Sequence, residues 1–357
     1  MKNITFIIGM LSGGGAERVV ASLANNLANF EIEINVILLY SNKNDYLENE
    51  RVNIIPIVSN RKNKPLKVME RLFLLRKKIK EIQPDIIISF DSVVNIYTIL
   101  AKSFLNIPLI ISERNDPNQY PKSNVLRQLR DKLYHIPEKI VFQTKDAKDY
   151  FPTNIQQTST IISNPIKNDL PFWDSQNHKK RIITASRLTS QKNLEMLIIA
   201  FSEISQEYPD YELVIFGEGE LRKKLESLIS KLNLENKAFL PGFSKEIHEE
   251  MTNSALFVLS SNHEGMSNSM LEALAVGIPV ISTDAPIGAA KMFIKNYHNG
   301  ILIEVGNTHE LVEAMRNIIS NSELANKFSN NSIIIREELN EDKITNEWIQ
   351  VISEIIN

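Results

Sequence analysis

Short, mostly apolar runs alternate with longer amphipathic stretches along almost the whole chain. This rhythm constrains the fold more than any other feature. In the first half the runs fall at Ile4–Gly9, Ile34–Leu39, Ile86–Phe90, Pro108–Ser112 and Lys139–Phe142. Helical stretches lie between them near Ala16–Ala28, Leu66–Ile82 and Val93–Leu105. A strand with no polar face must be covered on both sides, which calls for a parallel sheet with helices above and below. Strand–helix–strand repeats then form right-handed crossovers. The rhythm breaks at Asn164–Asn177, where two prolines stand among many turn formers. It restarts at Arg181–Ala185, Tyr211–Phe216, Lys237–Leu240, Ala255–Ser260, Pro279–Ser282 and Gly300–Ile303, and after Thr308 the chain reads as helical. At 357 residues the chain is longer than one ordinary domain. The expected class is α/β, with one domain over residues 1–167, a linker at 168–178 and a second domain over 179–341.

Composition removes several functions. There is no cysteine, so disulfides, thiolate nucleophiles and Cys-ligated zinc are excluded. The opening Met1–Gly9 has an apolar run too short for a signal core, and it reads as the first strand. No stretch approaches the ~20 apolar residues of a spanning helix. The net charge of −3 hides an asymmetry. Residues 1–175 carry 23 Lys and Arg against 18 Asp and Glu, and the remainder is acidic. Much of the excess lies in Arg61–Lys80 and in Lys122–Lys132, where basic residues sit beside Leu and Phe at helical spacing. That pattern suits an anionic membrane surface, and equally an ordinary helix with a solvated basic face. Nucleic acid is not expected, because the overall charge is acidic and aromatic residues do not interleave with basic ones.

The chemistry concentrates in the second half. Glu264-Gly265-Met266-Ser267-Asn268 follows the apolar run Ala255–Leu259, and Met270–Val276 reads as a helix. A helix N-terminus attracts an anion through its free N–H groups. Glu264 and Glu272 would repel a bare anion, so they suit hydroxyls at either end of a ligand with phosphates at its centre. A nucleotide sugar has that form. Arg187 and Lys192 flank the turn after Arg181–Ala185, at the carboxyl end of a strand, where they can grip a diphosphate.

The segments Ser186-Arg187-Leu188-Thr189-Ser190-Gln191-Lys192-Asn193 and Glu264–Ala273 resemble the donor site of retaining glycosyltransferases of family 4. The likeness extends to Gly13-Gly14-Gly15-Ala16-Glu17-Arg18, Ile162–Pro165 and Phe216–Gly219. It implies the GT-B architecture, two Rossmann-like domains facing each other across a cleft, with a last helix at about 342–357 crossing back to the N-terminal domain. It also implies that the N-terminal domain binds the acceptor and the C-terminal domain binds the nucleotide sugar. Arg187 and Lys192 would then neutralise the diphosphate. Glu264 would approach the donor sugar and Glu272 the ribose hydroxyls, with Gly265, Met266, Ser267 and Asn268 at the sugar or distal phosphate. Gly217 and Gly219 would line the nucleoside side and Phe243 would border the base. Gly14 and Gly15 would allow close approach of phosphate or acceptor. Glu17 and Arg18 read as a helix-start pair, with Glu17 also a candidate acceptor contact. An NAD site is a poor fit, since the glycines are contiguous and Tyr40-Ser41-Asn42 follows the second strand.

Two departures stand out. Where many relatives carry a histidine after the strand at Pro108–Ile111, this chain has Ser112-Glu113-Arg114-Asn115-Asp116-Pro117. Glu113, Arg114 or Asn115 is expected to take over that contact. The run also resembles a subgroup that builds bacterial surface polysaccharides and glycans. Second, Ala289-Ala290-Lys291 follows Gly288 where that subgroup continues to a glutamate. No Asp-x-Asp segment marks a metal–diphosphate site, so no metal and no cofactor beyond the nucleotide-sugar co-substrate are expected. The resemblance implies transfer of a hexose or N-acetylhexosamine, with retention, from a UDP-linked donor to a polyprenyl-diphosphate-linked glycan. The enzyme would be cytoplasmic and peripheral at the inner face of the membrane. A sugar-nucleotide epimerase of the same fold and a non-catalytic sugar-nucleotide-binding subunit are the alternatives.

Overall fold

The structure is a computed structural model that describes residues 3–356 apart from 13, 31, 42, 48, 58 and 60. Met1, Lys2, Gly13 and Asn42, each part of a segment discussed above, lie outside the described residues. The chain divides into two compact units, Met1–Pro165 with Glu341–Asn357, and Ile166–Asn340.

The first unit holds β1 (Asn3–Ile8), β2 (Glu33–Leu38), β3 (Val52–Pro56), β4 (Ile86–Phe90), β5 (Leu109–Ser112), β6 (Lys139–Phe142) and β7 (Ser159–Ile161). They form one parallel sheet in the order β3-β2-β1-β4-β5-β6-β7. The second unit holds β8 (Arg181–Ala185), β9 (Glu212–Phe216), β10 (Ala238–Gly242), β11 (Leu256–Leu259), β12 (Val280–Thr283) and β13 (Ile301–Ile303). These are also parallel, in the order β10-β9-β8-β11-β12-β13. Each unit is thus Rossmann-like, and in each the strand order reverses once: between β1 and β4, and between β8 and β11.

The inner strands follow the apolar runs because nothing in them tolerates water. Every residue of β4, β5, β11 and β12 is buried. Two strands carry no such signal. In β3 only Val52 is fully buried and Asn53 and Pro56 are exposed, as an edge position allows. β7 has three residues and pairs only with β6.

Helix boundaries have local causes. Asn63 caps the helix Lys64–Ile82 by accepting from the Leu66 N–H, and Gln83 ends it in the left-handed region. That helix buries only Leu75 and Ile79, and it leaves Leu66, Met69 and Phe73 exposed. The second basic stretch behaves differently. Arg130 is fully buried and donates to the carbonyls of Pro117 and Tyr120, so it braces the loop after β5 instead of facing solvent. No helix of the described residues is long and apolar enough to cross a membrane.

The segment after β7 is packed, not loose. Ile166 N donates to the Leu339 carbonyl, and the Trp173 indole donates to Ser254 O at 2.7 Å. The Arg336 guanidinium binds the Leu170 and Pro171 carbonyls and lies over Phe172.

The last helix, Glu341–Ile356, belongs to the first unit, as expected. Ser22 donates to Glu341 at 2.9 Å, Asn26 to Thr345 at 3.0 Å, and Lys139 pairs with Glu354. Trp348 is fully buried, its ring 5.5 Å from Phe90, and the Arg114 guanidinium covers both rings. Trp348→Ala should therefore destabilise the first unit by about 3–5 kcal/mol, the usual cost of emptying an aromatic core site. Thermal unfolding followed by near-UV circular dichroism will measure it, and a shift of Tm below a degree would show that the helix is not held by this residue.

Candidate nucleotide-sugar site

The reversal point of the second sheet lies between β8 and β11, and open α/β sheets bind ligands just beyond the carboxyl ends of strands at such a point. The turn after β8 runs through Ser186 and Arg187 to a 3₁₀ turn at Ser190–Lys192. The turn after β11 runs from Ser260 to Ser267 and opens the helix Asn268–Val276.

Hydrogen bonds zip these two turns together. Asn262 N donates to Gln191 O at 2.8 Å, and the Gln191 side chain donates to His263 O at 3.0 Å. Asn193 donates to Asn262 at 3.0 Å, and Ser260 to Lys192 O at 2.9 Å. His263 thus contributes its carbonyl to the loop contact. The zipper brings Lys192 and Glu264 into a direct ion pair, although 72 residues separate them. Glu264 also accepts from Ser261 Oγ at 2.6 Å. Both partners are nearly buried, with 12% and 10% of their side chains exposed. An ion pair out of water needs further hydrogen bonds to offset desolvation, and Ser261 supplies one.

Glu272 lies on the helix after the turn and is also nearly buried. His248, from the helix Ile247–Thr252, brings its Nε2 to 3.2 Å from the Glu272 carboxylate. No sequence pattern pointed to His248. Ser267 occupies the N-cap with its backbone only, and its hydroxyl sits 3.2 Å from Ser269. Gly265 O accepts from Ala289 N at 3.0 Å, which lays the Ala285–Ala290 loop against Glu264. Met266 is buried and Asn268 half-buried. Arg187 is exposed, so its guanidinium is available to an incoming anion.

Gly217 and Gly219 are explained by close packing against the β8 turn. A Cβ on Gly217 would lie 1.9 Å from Ser186 O, and one on Gly219 would lie 2.4 Å from Leu188 O. Ser186 N and Leu188 N donate to the carbonyls of Phe216 and Glu218, which locks the two turns side by side. Phe243, just past β10, is 70% exposed.

The first-unit candidates lie beyond the carboxyl ends of that unit's own sheet. Gly14 is the N-cap of the helix Gly15–Leu27, and Glu17 folds its carboxylate back over Gly14. Glu113 is fully buried. Its oxygens accept from Ser92 Oγ, from Tyr134 OH at 2.7 Å, and from the backbone N–H groups of Arg114 and Asn115. Burial pushes its carboxyl above the usual range, opposed by the charge of Arg130 and the hydroxyl bonds. Arg114 is buried too and donates to Asn164 at 2.7 Å, and burial lowers it to about 9. Glu113 and Arg114 thus serve the interior of the first unit. Asn115 remains half-exposed and donates to Asp91 at 3.2 Å. Sequence reasoning passed over Asp91, although a carboxylate directly after the mostly apolar strand Ile86–Phe90 is the available signal.

Comparison with known proteins bears on the family and the fold. Residues 166–334 match the family described as glycosyl transferases group 1, and residues 13–170 match glycosyltransferase family 4. A glycosyltransferase of Haemophilus influenzae described as uncharacterized is 29% identical over 361 residues, covering 98% of this chain and 99% of its own. A Campylobacter jejuni protein named GalNAc-alpha-(1->4)-GalNAc-alpha-(1->3)-diNAcBac-PP-undecaprenol alpha-1,4-N-acetyl-D-galactosaminyltransferase is 28% identical over the whole of both chains. Among solved structures, Anabaena HepE in complex with UDP and glucose superposes with a TM-score of 0.87 at 17% identity, covering 99% of this chain and all of its own. Each half of the chain thus matches a glycosyltransferase family, family 4 in the N-terminal half and group 1 in the C-terminal half, and the fold is GT-B.

Proposed function

We propose that the protein is a retaining transferase that moves a hexose or N-acetylhexosamine from a UDP-linked donor to a polyprenyl-diphosphate-linked glycan. The product would enter a bacterial surface polysaccharide or glycan. The observation that carries this reading is the Lys192–Glu264 pair, backed by Ser261, at the reversal point of the second sheet. The Campylobacter relative, whose name specifies an undecaprenol-linked acceptor, supports the acceptor class. The UDP and glucose named for HepE support the donor class.

In this reading Arg187 and Lys192 neutralise the diphosphate as the sugar–phosphate bond breaks and its electron pair passes to phosphate. Such stabilisation of developing charge is commonly the largest catalytic contribution. Glu264 positions Lys192 and receives sugar hydroxyls, and Glu272 receives the ribose hydroxyls. Gly265, Met266, Ser267 and Asn268 offer the helix N-terminus to the sugar or distal phosphate. Gly217 and Gly219 border the nucleoside and Phe243 the base. Gly14 and Gly15 allow close approach of phosphate or acceptor, and Glu17 and Asn115 belong to acceptor recognition in the first unit. The acceptor hydroxyl attacks from the leaving-group face and its proton passes to the departing phosphate. Two cations at the diphosphate take the place that a divalent metal would fill, so no metal is required.

The helix Lys64–Ile82 is read as a membrane contact. Leu66, Met69 and Phe73 share one face at i, i+3 and i+7 spacing and are half or more exposed, with Lys62, Lys64, Lys67 and Lys77 around them. The enzyme would then work at the inner face of the cytoplasmic membrane.

The first test is release of UDP from UDP-glucose, UDP-galactose and their N-acetyl counterparts, with membrane lipid extract as acceptor source and EDTA present. Release that depends on extract is the expected result. A changed sugar still attached to UDP would mean an epimerase, and binding without release would mean a binding module. Lys192→Ala and Glu264→Gln should each lower kcat/KM by roughly 10²–10³-fold. Glu272→Ala should act mainly through a higher donor KM, because ribose contacts do not change during the reaction. Equal loss of kcat in all three would contradict that division. For the membrane contact, Met69→Glu combined with Phe73→Glu should abolish sedimentation with phosphatidylglycerol vesicles while UDP affinity is kept. Unchanged sedimentation would rule this helix out.

A further inference from the structure

The first sheet also reverses, between β1 and β4, and the residue that leaves β4 at this point is Asp91. Its backbone lies at φ 84°, ψ 137°, a conformation that residues with side chains rarely adopt. Such strain persists only where neighbours enforce it. Here Asp91 N donates to Ser112 O at 3.2 Å and Asp91 O accepts from Asn95 N at 2.8 Å. Oδ1 accepts from the Val93 N–H at 3.1 Å, and Oδ2 accepts from the Asn115 amide at 3.2 Å. A carboxylate has about four acceptor positions, so this one keeps spare capacity. The residue is half-buried, which leaves that capacity an opening.

A second observation lies beside Asp91. Tyr40 follows β2, with its ring edge-on to Tyr97 at 6.5 Å and under the Arg71 guanidinium at 4.7 Å. Its hydroxyl is buried and has no hydrogen-bond partner among the described residues, and it lies within reach of the Asp91 charge. A buried hydroxyl without a protein partner is uncommon and is open to a water or a ligand hydroxyl. Glu17 and Glu113 add negative charge around Asp91, which disfavours a phosphate and favours a neutral ligand rich in hydroxyls.

We propose that Asp91 is an acceptor-recognition residue, whose carboxylate receives hydrogen bonds from the hydroxyls of the terminal acceptor sugar, with the Tyr40 hydroxyl as a second contact. This deepens the transferase reading and rests on it.

Burial, then the charge of Glu113, raises the Asp91 carboxyl to about 7; Glu17 adds to the rise, and the Val93 N–H and the Asn115 amide oppose it. The titratable groups facing it are Glu113 after β5, Glu17 on the helix Gly15–Leu27, and Tyr40 after β2, with Tyr97, Tyr120 and Arg71 around Tyr40. The ionised carboxylate is the better acceptor, so recognition strengthens as pH rises through about 7. The raised value has the opposite effect on stability. Folding favours the protonated form, so this group's contribution falls as pH rises from the ordinary 3.8 to about 7. Activity and stability therefore move in opposite directions across that window.

Two variants test the proposal, assayed for UDP release with membrane lipid extract as the acceptor source and for UDP binding by calorimetry. Asp91→Asn keeps the side-chain shape, and Asp91→Gly relieves the backbone conformation. Both should raise the acceptor KM by about tenfold or more while UDP affinity stays unchanged. Both should also lose the rise of kcat/KM around pH 7. Tm of Asp91→Gly should be held or raised. An acceptor kcat/KM within about threefold of wild type in either variant overturns the proposal. So does Asp91→Gly with a lowered Tm and weakened UDP binding, which would make the residue structural. If the wild-type protein releases no UDP from any donor, the transferase reading itself fails, and the proposal falls with it.

Discussion

The structure rests on strands that have no polar face. A side chain such as Ile86, Ile87, Ile88, Leu256 or Phe257, completely buried, is worth roughly 1.5–3 kcal/mol relative to exposure. A strand made only of such residues gains that stabilisation only inside a sheet covered on both sides. Both units meet the requirement in the same way, with parallel strands and crossover helices. The consequence for function is direct. The interior of each sheet is largely apolar, so charged residues collect where the strands end. The reversal of strand order then opens one position at the carboxyl edge of each sheet, and the residues argued to act gather at those two positions.

At the second-unit position, loop packing does most of the work. Ser186–Leu188 is pressed against Phe216–Gly219 so closely that two glycines are needed. Ser190–Asn193 is zipped to Ser260–His263 on its other side. Lys192 and Glu264 are thus presented by loops that hold each other, and the ion pair forms between residues whose positions are already set. Such preorganisation is what electrostatic catalysis demands, because a site that must rearrange spends its advantage on reorganisation.

The first unit uses its charged residues differently. Arg130 and Glu113 look from their composition like surface or contact residues, and both turn inward. Arg130 holds the loop after β5 by its carbonyls, and Glu113 is enclosed by Ser92, Tyr134 and two backbone N–H groups. Buried polar groups of this kind are tolerated because each is satisfied. They make the loop that carries Asn115 rigid, and that loop adjoins Asp91.

Local spacing by itself determined a good deal about this protein. Apolar runs of four to six residues located the inner strands of both sheets, because complete burial leaves a signature within the run itself. The Arg187–Lys192 and Glu264–Glu272 segments carried their resemblance in consecutive residues. What tertiary structure alone decided was every contact between distant segments. β3 and β7 escaped notice because an edge strand is stabilised by its neighbour's hydrogen bonds more than by its own apolar content. Lys192 meets Glu264 across 72 residues, and His248 meets Glu272 from another helix. Arg130 is buried while the similar Arg127 stays near the surface, and Asp91 is held in a strained conformation by Ser112, Asn95 and Asn115. Sequence spacing encodes which face of an element is apolar, whereas partners, burial of charge and backbone strain depend on what the fold places alongside.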